Sequence, residues 1–416
     1  MNFEHLLQQV AFIHEIDKIK YIQRKTRLFN SDRNENDAEH SWHLAVMAIV
    51  LAQHSNESID TLKVIKMLLI HDVVEIDAGD IFLYDTVLNH DNTEAERKAA
   101  ERIFGLLPAE QATELTAIWE EFEAGETPEA RFARSMDRLE PLLQNVSNKG
   151  GTWREYNVGY DQVVQKKSII KQGSQVLWAF AKTLIDESAE KGFLEKRIKE
   201  EGQTGRPQEQ YLNIATIDFE HLLQQVAFIH EIDKIKYIQR KSRLFNSDRN
   251  ENDAEHSWHL AVMAIILAQH SNESIDILKV VKMLLIHDVV EIDAGDIFLY
   301  DTVLSHDNTE AERKAAERIF GLLPPEQATE LIAIWEEFEV GETPEAKFAR
   351  SMDRLEPLLQ NVSNNGGAWR EHNVKYEQIM QKNGVIQYGS HTLWNFAKTL
   401  VDDITEKGML RKRSKE

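Results

Sequence analysis

The sequence predicts an all-α protein built as two tandem helical bundles. Apolar residues recur at three- and four-residue steps through long segments, the period of a helix with one buried face. No segment alternates apolar and polar residues between hairpin turns as a set of strands does. Residues 3–200 reappear as residues 219–416 at a constant shift of 216, with no gap and about 31 of the 198 positions changed. A repeat of that size is a duplicated domain and not a solenoid, whose units run to about 20–50 residues.

Within one copy, Glu4 to about Arg24 places Leu6, Leu7, Val10, Ile13, Ile16, Ile19 and Ile22 on one helical face. Thr26 to Asp37 is polar and irregular. Helix resumes near Ala38 and runs to Ala52, so apolar after its first turn that burial is expected all round. Ser58 is placed to cap the next helix, which delivers His71-Asp72. A looser segment from Gly79 to Asn92 follows, with Thr93 then capping a helix to about Phe104. Pro108 opens another helix, and Thr127-Pro128 opens the one that carries Asp137 and Glu140. Asn148 to Gly151 reads as a loop, and an amphipathic helix from about Ser174 to Lys196 closes the copy.

The expected domains are residues 1–199 and 217–416, joined by a polar, Gly- and Pro-containing linker at 200–216. Two equal domains on one chain suit an internal pseudo-dimer, each copy supplying the other's partner at high effective concentration. A chain with no cysteine has no disulfide, thiolate metal site or thiol nucleophile, which fits a cytoplasmic location. The formal charge of −22 argues against nucleic-acid polymers and anionic membranes as partners. No apolar run reaches the ~18–20 residues of a membrane span. A small anionic substrate stays open, because Lys18, Lys20, Arg24, Lys25, Arg27 and Arg33 make one segment locally basic. A solvated helix face explains that basic run equally well.

Chemistry concentrates where a buried apolar helix runs into His71-Asp72, with Glu75 one turn further and Asp80 beyond Gly79. Adjacent helical residues diverge by about 100°, so His71 and Asp72 converge on one ion only at a distorted or terminal turn. Glu75 lies over the same face. With His40 and Asp137 they supply two imidazoles and two carboxylates, a donor set for one divalent metal per copy: Mn, Co, Mg, Fe or Zn. Such a metal polarises a phosphoryl oxygen and acidifies water. His90-Asp91 is a similar pair, but its polar loop context favours simple hydration.

The ordered set Glu39-His40-Ser-Trp-His43, His71-Asp72-Val-Val-Glu75, Gly79-Asp80 and Asp137-Arg-Leu-Glu140 resembles the HD-domain metal-dependent phosphohydrolase superfamily, in particular its 5'-deoxynucleotidase-like branch. The resemblance implies metal ligands His40, His71, Asp72 and Asp137, repeated as His256, His287, Asp288 and Asp353. It implies that Glu75 and Glu291 act on the water, with Asp80 and Asp296 near the substrate. The branch holds its phosphate with an Arg-Trp pair, and Lys25-Thr26 and Lys241-Ser242 are expected at those positions. Arg24, Lys25 and Arg33, with Arg240, Lys241 and Arg249, are the candidate phosphate contacts. The resemblance thus implies a 5'-nucleotidase-like phosphomonoesterase acting on nucleoside or deoxynucleoside monophosphates. Pyro- or triphosphate hydrolysis and a non-catalytic nucleotide-binding module are the alternatives.

Overall fold

A computed structural model describes residues 3–85, 92–195, 219–301 and 309–410. The His90-Asp91 pair and the expected linker at 200–216 lie outside the described residues. The first copy contains α1 (Phe3–Ile16), a 3-10 turn (Asp17–Tyr21), β1 (Gln23–Arg27), β2 (Asn34–Asn36), α2 (Asp37–Leu51) and α3 (Thr61–Ile70). A 3-10 turn (His71–Val74) and α4 (Glu75–Ala78) follow, then α5 (Thr93–Phe104), α6 (Ala109–Ala124) and α7 (Pro128–Ser147). The short helices α8 (Gly151–Glu155), α9 (Tyr160–Lys167) and α10 (Ile170–Gly173) lead to α11 (Gln175–Glu190). The second copy repeats this order, and no described helix is long and apolar enough to cross a membrane.

The all-α reading holds apart from one short ribbon in each copy. β1 and β2 pair antiparallel, Gln23 opposite Asn36 and Arg27 opposite Asn34, across a register irregularity. Its residues are almost all polar, so the alternation that marks a strand on a core is missing from the sequence. Helix caps also differ from expectation. Asp60, not Ser58, accepts from the Lys63 amide to start α3, and Asn92 precedes α5 without a side-chain cap bond. Thr127 does cap α7, accepting from the Ala130 amide, with Pro128 in its first turn.

The compact units do not follow the expected bounds of 1–199 and 217–416. Lys18–Val226 form one unit, and Met1–Asp17 belong with Ala227–Glu416 in the other. In that second unit the Gln9 amide donates to the Ile266 carbonyl (2.9 Å), and His259 Nε2 lies 3.0 Å from the Ile13 carbonyl. The Phe245 amide donates to Asp17 Oδ2 at 3.0 Å. In the first unit Gln225 likewise donates to the Val50 carbonyl at 2.9 Å. Hydrophobic periodicity tells which face of α1 is buried. It cannot tell which of two near-identical copies covers it.

The core of the first unit lies where α2, α3 and α7 meet. Trp42, Leu44, Met47, Val64, Leu68, Phe132 and Leu139 are all buried there. Four polar side chains, His40, His71, Asp72 and Asp137, enter this apolar centre from three different elements, and they define the site.

Candidate metal centre

His40 sits in the first turn of α2, and that turn is tightly specified. Asn36 accepts from the Glu39 amide, and Glu39 Oε2 accepts from the Asn36 amide, both at 3.0 Å. This reciprocal capping box satisfies two helix-end donors and fixes the start of α2. Arg33 clamps the Glu39 carboxylate at 2.8 and 3.2 Å. Arg33, and Arg249 on Glu255, therefore hold a cap and are not among the residues that line the cavity. Two of the expected phosphate contacts are accordingly not brought to the site.

His71 and Asp72 converge because α3 tightens into the 3-10 turn His71–Val74. His71 Nε2 comes within 3.1 Å of Asp72 Oδ1. Asp137 approaches from the middle of α7, its Oδ1 3.3 Å from His40 Nε2. Pro141, four residues on, removes the amide that would bond the Asp137 carbonyl in a regular helix. In the second copy, Asp353 Oδ1 is 3.1 Å from His256 Nε2 and 3.8 Å from His287 Nε2.

These residues fit a divalent cation. Donor atoms of His40, His71 and Asp72, and of His256, His287 and Asp353, lie within 4.8 Å of one another. His71 Nδ1 is 2.9 Å from the Leu68 carbonyl, which places the ring proton on Nδ1. The Nε2 lone pair is then buried without a hydrogen-bond donor and faces the cluster. A metal-binding imidazole has this arrangement, its second nitrogen tied to a carbonyl. Behind His40, Nδ1 lies 3.4 Å from Glu35 and 3.3 Å from Glu140. His43 Nδ1 lies 3.5 Å from the other Glu140 oxygen.

The electrostatics show what the cation would change. Burial and the Arg24 guanidinium oppose a charge on His40, yet Asp137, Glu140 and Glu35 outweigh them and hold it well above the usual imidazole range. Burial alone would raise Asp72, but His71 and Arg24 bring it down to about 2. Asp137 is likewise held well below the carboxylate range, burial being overcome by Arg138 and His40. Burial pushes Glu75 well up, and the Asp72 and Asp37 carboxylates add to it. The cluster thus joins ionised carboxylates to a proton that a metal displaces.

Arg24 has a dual position. Its NH1 donates to Asp72 Oδ2 at 2.6 Å and to Asp37 Oδ1 at 3.0 Å. Arg24, Lys25 and Thr26 all line the cavity, so the residue reaching Asp72 precedes the expected Lys25-Thr26 pair by one. Glu75 and Asp80 line it too. Gly79, at φ 79°, takes the left-handed turn between α4 and Asp80 that a side chain would resist. The cavity has a volume of about 220 Å³ in the first copy and about 240 Å³ in the second.

Sequence reasoning assigned no role to Asp37, Glu35, Glu140 or Lys167. Glu140 had a signal, since it lies at i+3 from Asp137 on the same helical face. Lys167, 2% exposed and lining the cavity, had none in a single copy. Burial and Arg138 bring its ammonium down to about 7, against the pull of Asp137 and Glu140.

The chain is similar to proteins of known family. It is 29% identical over 149 residues to 5'-deoxynucleotidase HDDC2 of Bos taurus, a match covering 35% of this chain and 71% of that protein. With 5'-deoxynucleotidase HDDC2 of Mus musculus it shares 28% identity over 165 residues, 38% of this chain and 80% of that protein. A solved structure described as a predicted metal-dependent phosphohydrolase, from Magnetospirillum magnetotacticum MS-1, is 50% identical. That match covers 46% of this chain and 96% of the other, with a TM-score of 0.44. Residues 16–178 and 232–394 each match the HD domain. The chain, carrying this domain twice and each time around its own buried His-Asp cluster, belongs to the HD-domain metal-dependent phosphohydrolase superfamily.

Proposed function

We propose that each copy hydrolyses a phosphate monoester, with nucleoside 5'-monophosphates, deoxynucleotides included, as the substrate class. The observation that carries this reading is the juxtaposition in one cavity of His71, Asp72 and Asp137 with Glu75, Asp80 and the cations Arg24 and Lys25. The names of the curated relatives support the nucleotide part of it.

His40, His71, Asp72 and Asp137 would hold one divalent cation, as would His256, His287, Asp288 and Asp353. When bound, that cation polarises the phosphoryl group and acidifies water in the cavity. Arg24 holds Asp72 in its ionised, ligating form and presents the rest of its fork to the cavity. Lys25, exposed at the cavity wall, neutralises charge that develops on the phosphoryl oxygens. Glu75, whose carboxyl is raised by burial and by Asp72 and Asp37, is suited to take the proton of the attacking water. Asp80, raised by burial and by Asp72 against Arg24, is placed to return a proton to the leaving alkoxide or to contact the substrate. The same assignments hold for Arg240, Lys241, Glu291 and Asp296. We also propose that the two copies act as an internal pseudo-dimer, which the gapless repeat supports.

A panel of ribo- and deoxynucleoside mono- and triphosphates, run with Mn²⁺, Co²⁺ and Mg²⁺, tests this reading. Orthophosphate release from monophosphates is expected. Release of pyrophosphate or triphosphate instead would move the cut, and no release with any metal would leave a binding module.

A further inference from the structure

The two cavities share their catalytic parts but differ at three positions of their walls. From Phe3 to Asn148 the copies differ at 9 positions, and from Lys149 to Glu200 at 22. Every predicted ligand and both catalytic carboxylates are identical between copies. Among the cavity-lining residues, Thr26, Thr152 and Lys167 are replaced by Ser242, Ala368 and Asn383. Only the last of these changes charge.

Lys167 ends α9 with its Nζ donating to the Arg138 carbonyl at 2.8 Å. An ammonium has three donors, so this bond leaves capacity for an anion. Asn383, at the matching position, donates to the Tyr300 hydroxyl at 2.8 Å and to the Ile379 carbonyl at 2.9 Å. It closes a neutral wall where the first copy has a cation, and the Tyr84 hydroxyl lacks that donor. The first cavity is therefore lined by Arg24, Lys25, Arg134, Arg138 and Lys167, and the second by the equivalents of the first four alone. Six carboxylates line each.

We propose that Lys167 sets the substrate preference of the first site, drawing it toward phosphate esters of higher negative charge, such as nucleotides with a second phosphate group. The second site, with Asn383, takes the simple monoester without that preference. This rests on the phosphohydrolase reading. Burial brings the Lys167 ammonium down to about 7, so below that pH, or once a bound anion holds its proton, this unit cation strengthens binding of a nearby anion by roughly 5- to 50-fold. Because the acid, base and ligand residues do not change, the difference falls on KM and not on kcat.

The test uses the full chain with one site silenced at a time, Glu291→Gln leaving the first and Glu75→Gln the second. KM for a nucleoside 5'-monophosphate and its 3',5'-bisphosphate, and inhibition by orthophosphate, are measured for each. The first site should show the higher bisphosphate preference and the tighter orthophosphate inhibition. Lys167→Asn should bring both to the second site's values with kcat within about twofold. Asn383→Lys should confer both on the second site, a gain that mere loss of structure cannot mimic. Identical values for the two sites, or a Lys167→Asn chain that keeps the preference, would overturn the proposal. Should neither site hydrolyse any ester, the functional reading fails first. Calorimetric titration of the unsubstituted, metal-loaded chain with orthophosphate then decides: two unequal sites, reduced to one class by Lys167→Asn, uphold the charge difference, and two equal sites refute it.

Discussion

His40 and Asp37 carry the clearest residue-scale consequences. A ligating imidazole is neutral, whereas His40 is held well above its ordinary pKa by three carboxylates. Metal loading should therefore release protons, and apparent affinity should rise with pH. Calorimetry in two buffers of different ionisation enthalpy reads this directly, and equal heats would contradict it. Asp37 is pushed up to about 7, chiefly by burial, with Arg24 opposing and Asp72 and Asp80 adding. An unfolded Asp titrates near 3.9, so between about pH 4 and 7 the folded state binds the extra proton. Asp37 thus contributes stability below pH 4 that is lost as pH rises through 7. The metal-free chain should lose thermal stability between about pH 4 and 7, and Asp37→Asn should shrink that loss by roughly 3 °C or more.

At the scale of elements, the site depends on how α7 is seated. Gly173, at the end of α10, packs so closely on α7 that an added Cβ would meet the Arg131 carbonyl and the Ser135 hydroxyl. Gly173→Ala should cost about 1–3 kcal/mol of stability, measured by urea unfolding. It should also weaken metal binding in the first copy, because α7 carries Asp137. An unchanged midpoint would show that α10 yields easily. Much of this level was legible in the sequence. The apolar run of α3 and the Thr127-Pro128 start of α7 follow from period and cap chemistry, whereas the ordered set His40, His71-Asp72, Asp137 was legible through its donor types and its resemblance to the HD-domain superfamily. The statement that His71 and Asp72 need a distorted turn to converge found its answer in the 3-10 turn. Other features left little trace. The β1–β2 ribbon is polar on both faces, Asp60 and Ser58 are both good caps, and Arg33 was one basic residue among six. Its commitment to Glu39 emerges only once the capping box is folded.

For the whole molecule, duplication made the site easier to read and the packing harder. Repetition of every expected ligand supports the proposal that both sites work. Near-identity also hid the placement of α1, since either copy offers its helix the same surface. If the sites turn over independently, Glu75→Gln or Glu291→Gln alone should leave about half the monophosphatase activity at saturation. A single substitution that removes nearly all of it would show that the two sites are coupled.

The most direct test of the central claim replaces both glutamates together, Glu75→Gln with Glu291→Gln. Gln keeps size and hydrogen-bonding capacity but cannot accept the water's proton. The double variant should fold and bind its divalent metal as the parent does while phosphate release falls by 10²-fold or more, the order expected for a lost general base. Phosphate release at the parent's rate would contradict the account.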